Sequence, residues 1–142
     1  MKKPMEWKKK IHIESSLPKK KGQYSMFVGR WQPLHEGHKQ MFQQVLDNGG
    51  NVFIAIRETE VDSKNPFTSL EVMNIIMEEY EELIEQKRVL VAIIPDIDAV
   101  CFGRGVGYDI VEFLPPSEVA EISATKIREK LYADGIIKPI ID

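Results

Sequence analysis

The sequence predicts a single-domain α/β fold organised on a doubly wound parallel sheet. Three observations carry the prediction: apolar runs of strand length ending in glycine or polar residues, apolar residues at helical spacing between those runs, and a length of 142 residues, which suits one hydrophobic core. In such sheets helices cover both faces, and ligands bind at the carboxyl ends of the strands, beside helix N-termini.

Residues 1–22 read as a lysine-rich arm and residues 23–142 as the domain. The arm carries eight lysines against two glutamates, a net +6, which leaves −9 for the rest of the chain. Terminal charge runs are ordinarily solvated; contact with an anionic surface is the alternative. Residues 24–29 then read as a short buried strand stopped by Gly29. Over residues 38–46, Met41, Phe42, Val45 and Leu46 recur at helical spacing, and Asn48-Gly49-Gly50 supplies a left-handed stop. Residues 51–57 form a second strand, apolar enough to be covered on both faces. Thr68 and Glu71 bracket a capping box, behind which Leu70, Met73, Ile76, Met77, Tyr80, Leu83 and Ile84 form an apolar stripe on a helix of about four turns. A third strand is expected over 88–95, a fourth over 98–103, and a weaker strand signal covers 110–113. Ile127, Leu131 and Tyr132 share one face of a last helix, closed by Asp134-Gly135.

Composition narrows the function. A hydrophobic fraction of 43% and a charged fraction of 29% are those of an ordinary globular protein, so neither disorder nor a fibrous repeat is expected. No apolar run approaches the roughly 18 residues of a membrane span, and the lysine-rich start lacks the apolar stretch of a signal peptide. A cytoplasmic protein without a membrane partner is the expectation. Cys101 stands alone, which excludes an intrachain disulfide and a cysteine-built zinc site. The acidic body argues against a duplex nucleic-acid partner, because phosphate neutralisation needs a basic face. A symmetric homodimer is the default assembly for a small enzyme.

The chemistry concentrates in Gly29-Arg30-Trp31-Gln32-Pro33-Leu34-His35-Glu36-Gly37-His38, between the first strand and the first helix. It brings two imidazoles and free backbone N–H groups to one helix N-terminus, where the dipole favours a phosphate. Gly37 permits close approach of a polyphosphate to the backbone. A His-x-x-His pair is also half a zinc site, but with His12 the one further imidazole and Cys101 the one thiol, a metal cage lacks ligands. At the other end of the chain, Ser123 and Thr125 offer hydroxyls at a helix start, and Arg128 follows one turn later with a guanidinium able to grip phosphate through two parallel hydrogen bonds. A Ser-x-Thr at a helix start is by itself an ordinary cap.

These two segments, in this order, resemble the HxGH nucleotidyltransferase superfamily called cytidylyltransferase-like. His35-Glu36-Gly37-His38 matches HxGH, and Ile122-Ser123-Ala124-Thr125-Lys126-Ile127-Arg128 matches ISxTxIR. Gly29-Arg30-Trp31-Gln32-Pro33 is closer to the GRFQP form of nicotinamide-nucleotide adenylyltransferases than to the GxFD form of cytidylyltransferases. The resemblance covers residues 24–132 and implies a Rossmann-like nucleotidyltransferase fold. It implies transfer of AMP or CMP from ATP or CTP to a phosphorylated small-molecule acceptor, with release of pyrophosphate and Mg²⁺ carried on the triphosphate. It further implies that Ser123, Thr125 and Arg128 hold the β- and γ-phosphates while His38 faces the α-phosphate. On that basis His38 is expected to be the main transition-state donor, with His35, Lys64 and Arg128 sharing the triphosphate and Gly29, Arg30, Trp31, Gln32 and Gly37 as nucleotide contacts.

Three positions are read from the residues with alternatives open. Lys64, in a polar loop before a helix, either swings over the triphosphate or is simply solvated. Arg57, at the end of the second strand, either neutralises phosphate or the acceptor, or pairs with Glu58 or Asp62. Gly103 and Arg104 open a glycine-rich loop, Gly103 to Tyr108, whose glycines allow close approach to a base or ribose but whose spacing is not a dinucleotide fingerprint. Asn65-Pro66-Phe67-Thr68 matches a stretch of the same adenylyltransferases, with Val72 in place of their arginine. An acceptor phosphate is ionised near neutral pH and needs no strong base, so catalysis reduces to positioning and charge stabilisation. The rival class is a catalytically silent nucleotide-binding module on the same fold.

Overall fold

The sheet that positions the site consists of three parallel strands, β2 (Tyr24–Gly29), β3 (Asn51–Glu58) and β4 (Val89–Pro95), in the order β2-β3-β4. The structure is a computed structural model that describes residues 7–13, 22–103 and 109–142. Register places Val28 beside Ala55 and Gly29 beside Ile56, then Ile56 beside Ile93 and Arg57 beside Ile94. All three strands therefore end on the same side. The central strand is apolar because it is covered: Val52, Ile54, Ala55 and Ile56 are wholly buried. This is one βαβαβ half of an α/β sheet, as the alternation of strand and helix patterns predicts.

Two crossover helices complete the half. In α1 (Glu36–Asp47) Phe42 and Leu46 enter the core, and Gly49 ends the turn at φ +80°, a left-handed conformation that glycine adopts without strain. Arg88, at the start of β4, donates from Nη2 to the carbonyls of Leu46 and Gly50, each at 2.8 Å, and so satisfies acceptors left over at the end of α1. In α2 (Ser69–Glu79) the capping box is present: the Glu71 amide donates to Thr68 Oγ1, and the Thr68 amide donates to Glu71 Oε1, both at 3.1 Å. The expected four-turn helix is interrupted at Tyr80, after which α3 (Glu81–Glu85) continues. The buried face is Val72, Ile76 and Tyr80, spaced by four, whereas Leu70 and Met77 are exposed. The apolar stripe is wider than the contact, so its flanks face solvent.

Two expectations are corrected. Residues 98–103 lie outside the sheet and are exposed where a fourth strand was expected; a run contributing only Val100 and Phe102 on one face buries too little to hold a sheet edge. At the N-terminus, residues 8–13 are not a free arm. They form β1 (Lys8–Ile13), antiparallel to β5 (Ile110–Leu114), with Lys10 opposite Glu112 and Ile11 opposite Val111. Phe113 anchors this pair to the core through Phe27, with ring centroids 5.6 Å apart, and Glu112 offsets the charge of Lys10 and of any protonated His12, 3.7 Å away. The chain ends with α4 (Ser117–Ala120) and α5 (Ala124–Ala133), the latter stopped by Gly135 at φ +71°. No helix among the described residues is long and apolar enough to cross a membrane.

Arg88→Met removes both carbonyl contacts and is expected to lower stability by about 2 kcal/mol. A urea titration checks this through a fall in midpoint at unchanged slope; an unchanged midpoint would contradict the clamp.

Candidate functional site

The loop between β2 and α1 is shaped by Trp31, which sits at φ +52°, a conformation costing an aromatic residue on the order of 1 kcal/mol or more. Its surroundings offset that cost. The indole is buried, its Nε1–H donates to the Ala55 carbonyl at 3.1 Å, and its edge packs against Phe42 and His38 at centroid distances of 5.3 and 4.8 Å. A Cβ at Gly29 would lie 2.8 Å from this ring, so the glycine is needed to admit the indole.

Gln32 comes next and is 5% exposed. Its Nε2 donates to the Phe67 carbonyl and its Oε1 accepts the Phe67 amide, both at 2.9 Å, so it pairs with the loop before α2 as a second strand would. Its own carbonyl accepts Arg128 Nη1 at 2.6 Å, and Arg128 Nη2 reaches Thr125 Oγ1 at 3.4 Å. The guanidinium of α5 is thereby held three residues before His35. The start of α1 also packs against α4, close enough that a Cβ added at Gly37 would lie 3.5 Å from buried Val119.

His35 caps α1. Its Nδ1 accepts the amides of Gly37 at 3.0 Å and His38 at 3.4 Å, while His38 Nδ1 accepts the His35 amide at 3.2 Å. This is a reciprocal capping box built from two imidazoles. The expectation of free N–H groups in this first turn is corrected accordingly, because those of residues 37 and 38 are taken by the cap. With both Nδ1 atoms accepting, each neutral ring carries its proton on Nε2. The rings stack at 3.6 Å and 19°, an arrangement that disfavours charging both. Burial, then the neighbouring His35, push the His38 pKa down to about 3, and burial lowers that of His35. At neutral pH the site therefore presents two uncharged Nε2–H donors. Gly37 serves this cap as well: a Cβ there would lie 2.9 Å from His35 Cε1.

The cytidylyltransferase-like family matches residues 26–75. A nicotinamide-nucleotide adenylyltransferase of Thermococcus sibiricus is 34% identical over 137 residues, covering 77% of this chain and 73% of its own length. The chain belongs to the cytidylyltransferase-like nucleotidyltransferase family. A nicotinamide-nucleotide adenylyltransferase of Thermococcus kodakarensis is 31% identical over 122 residues, or 81% of this chain, and the chain spans 63% of that relative's length. A bifunctional NMN adenylyltransferase/ADP ribose pyrophosphatase from Francisella tularensis, solved with AMP and a manganese ion, aligns at 28% identity and a TM-score of 0.45 over 51% of this chain and 22% of its own.

Other residues of this nucleotidyltransferase family member fall differently from the sequence reading. The Trp31 indole and the Gln32 side-chain amide are both engaged within the protein, where they hold the loop between β2 and α1. Arg57 pairs with Asp96, through Nε at 3.0 Å and Nη2 at 2.7 Å, and with the Ile97 carbonyl at 2.9 Å, rather than with Glu58 or Asp62. Arg30 is exposed, and its charge, after the hydrogen bonds from Asn65 and Lys64, helps to lower the pKa of Asp62. Lys64 is exposed on the β3–α2 loop, its amide donating to Asp62 Oδ1 at 2.9 Å. Ser123 caps α5 by accepting the Lys126 amide at 3.1 Å. Gly103 is exposed with open space about it, and Arg104 lies outside the described residues. Val72 is buried in the core, so no cation stands where the resemblance has an arginine. Asp62 was missed, although an Asp-Ser-Lys-Asn run is a recognisable Asx-turn signal. The partnership of Asp96 with Arg57 had no local signal.

The depressed pKa of His38 has a stability consequence. Below about pH 6.5 the unfolded chain takes up a proton that the folded chain refuses until about pH 3, so this contribution is present above 6.5 and is lost as pH falls through that window. The expected slope is at most about 1.4 kcal/mol per pH unit. Chemical denaturation from pH 7 to 4 should show a smaller acid loss in His38→Asn than in the parent; equal losses would contradict a neutral, buried His38.

Proposed function

We propose that this protein is a nucleotidyltransferase that moves AMP from ATP to a phosphorylated small-molecule acceptor and releases pyrophosphate. The observation that carries this is the pair of neutral Nε2–H donors at the start of α1 together with the Arg128 guanidinium fastened to the same loop. Family membership and the adenylyltransferase names of the relatives favour ATP over CTP as donor. Nicotinamide mononucleotide, the substrate in those names, is the first acceptor to test.

The proposed chemistry asks little of a base. An ionised acceptor oxygen attacks the α-phosphorus in line, a bond to that oxygen forms, and the bond to the bridging oxygen of pyrophosphate breaks. Both ring Nδ1 atoms already accept backbone N–H groups, and both Nε2 atoms carry the neutral-state proton, so the histidines act as donors rather than proton acceptors. His38 is assigned to the α-phosphate oxygens, whose charge grows in the transition state. His35, Lys64 and Arg128 are assigned to the β- and γ-phosphates, and Ser123 and Thr125 to the anion-binding end of α5.

Among the described residues no group of three or more His, Cys, Asp or Glu side chains is arranged to hold a metal ion. In this proposal Mg²⁺ is the counter-ion of the nucleotide, carried on its phosphate oxygens.

Pyrophosphate release from ATP in the presence of nicotinamide mononucleotide and related phosphorylated acceptors tests the proposal. His38→Ala should lower turnover by a hundredfold to a thousandfold, about 3 to 4 kcal/mol, without loss of fold by circular dichroism. Undiminished turnover in that variant would remove the assignment, and binding of ATP with no turnover for any acceptor would leave a silent nucleotide-binding module.

A further inference from the structure

The loop bearing Lys64 is fastened to the end of the chain by residues that the family motifs do not include. The Ser63 amide donates to Asp142 Oδ1 at 2.7 Å, the Ser63 hydroxyl donates to Asp142 Oδ2, and the Ser63 carbonyl accepts the Tyr132 hydroxyl at 2.8 Å. Within the loop, Asp62 Oδ1 accepts the amides of Lys64 at 2.9 Å and Asn65 at 2.7 Å, together with Asn65 Nδ2 at 3.0 Å. Asn65 is 5% exposed and seats the loop in the protein. The segment is thus stiff within itself and tied at Ser63 to α5. That helix also carries Arg128, one turn before Tyr132, and Arg128 is tied in turn to Gln32.

We propose that Tyr132 and Asp142 are positioning residues that fix the Lys64 backbone relative to Arg128, so that a triphosphate meets two cations at a set separation. The inference rests on the nucleotidyl-transfer reading above. Lysine is a point charge on a flexible four-carbon stem, so its placement is only as good as that of its backbone. Without the tie, each binding event must order the loop, and that entropy is subtracted from affinity. Neither Tyr132 nor Asp142 needs to touch the nucleotide.

The test is a mutant cycle on the full chain: Tyr132→Phe and Asp142→Asn, each alone and each combined with Lys64→Ala. Each single variant should raise KM for ATP about tenfold, with kcat changed by less than about twofold. Amide hydrogen exchange at residues 63–65 should quicken in both. In the Lys64→Ala background neither substitution should add a further effect, because its action passes through that lysine. A full additional rise in KM in that background would overturn the proposal, as would an unchanged KM in the single variants. A lowered KM in Asp142→Asn would also overturn it, making the carboxylate a competitor for the site. If the parent chain releases no pyrophosphate, the transfer reading falls, and the same cycle read as ATP affinity by calorimetry decides the tie.

Discussion

Gln32 ties together three stretches of chain that are remote in sequence. Both ends of its side-chain amide bond the backbone of Phe67, and its carbonyl receives Arg128. Through Phe67 it holds the loop that leads to Lys64; through Arg128 it holds α5; and along its own backbone it leads into His35. A buried amide with both ends satisfied specifies one geometry, whereas the same amide with a missing partner costs about 1 to 3 kcal/mol. That asymmetry makes the juxtaposition of the two motif regions a property of the fold rather than of a bound ligand.

The second constraint is electrostatic. Two imidazoles stacked at 3.6 Å at the positive end of a helix dipole are poor places for two further positive charges. The fold resolves this by keeping both rings neutral and turning each Nδ1 into a backbone acceptor. The capping role falls on Nδ1 of each ring, which leaves Nε2 for the proposed ligand contact. The glycines serve this arrangement: Gly37 clears the His35 ring and Gly29 clears the Trp31 indole, so both are explained by neighbours inside the protein before any ligand is considered.

The parallel sheet and its crossover helices were legible because their signals are local: apolar runs, a capping box at Thr68, and left-handed glycines at the helix ends. The histidine pair and the Ser123 to Arg128 segment were legible as motifs for the same reason. The pairing of β1 with β5 was not, since a lysine-rich strand reads as a solvated arm until Phe113 and Glu112 are known to face it. The interruption at Tyr80 and the choice of Val72 over Leu70 as a buried position depend on where the helices dock, which periodicity leaves free by one position either way. The place of Trp31 and Gln32 in the motif is visible in sequence, but their partners within the protein, Ala55 and Phe67, were not legible, being 24 and 35 residues away.

The nucleotidyl-transfer proposal depends on the protonation state of the two histidines and on a shared target for their side chains and that of Arg128. Nitrogen NMR of the imidazole rings and the Arg128 guanidinium, recorded on the full chain at pH 7 with and without ATP, reads both at once. The expected spectra show neutral rings protonated at Nε2 in the free protein, and ATP shifting His35, His38 and Arg128 together. Rings that are charged or protonated at Nδ1, or an ATP response that leaves those three side chains unmoved, would contradict it.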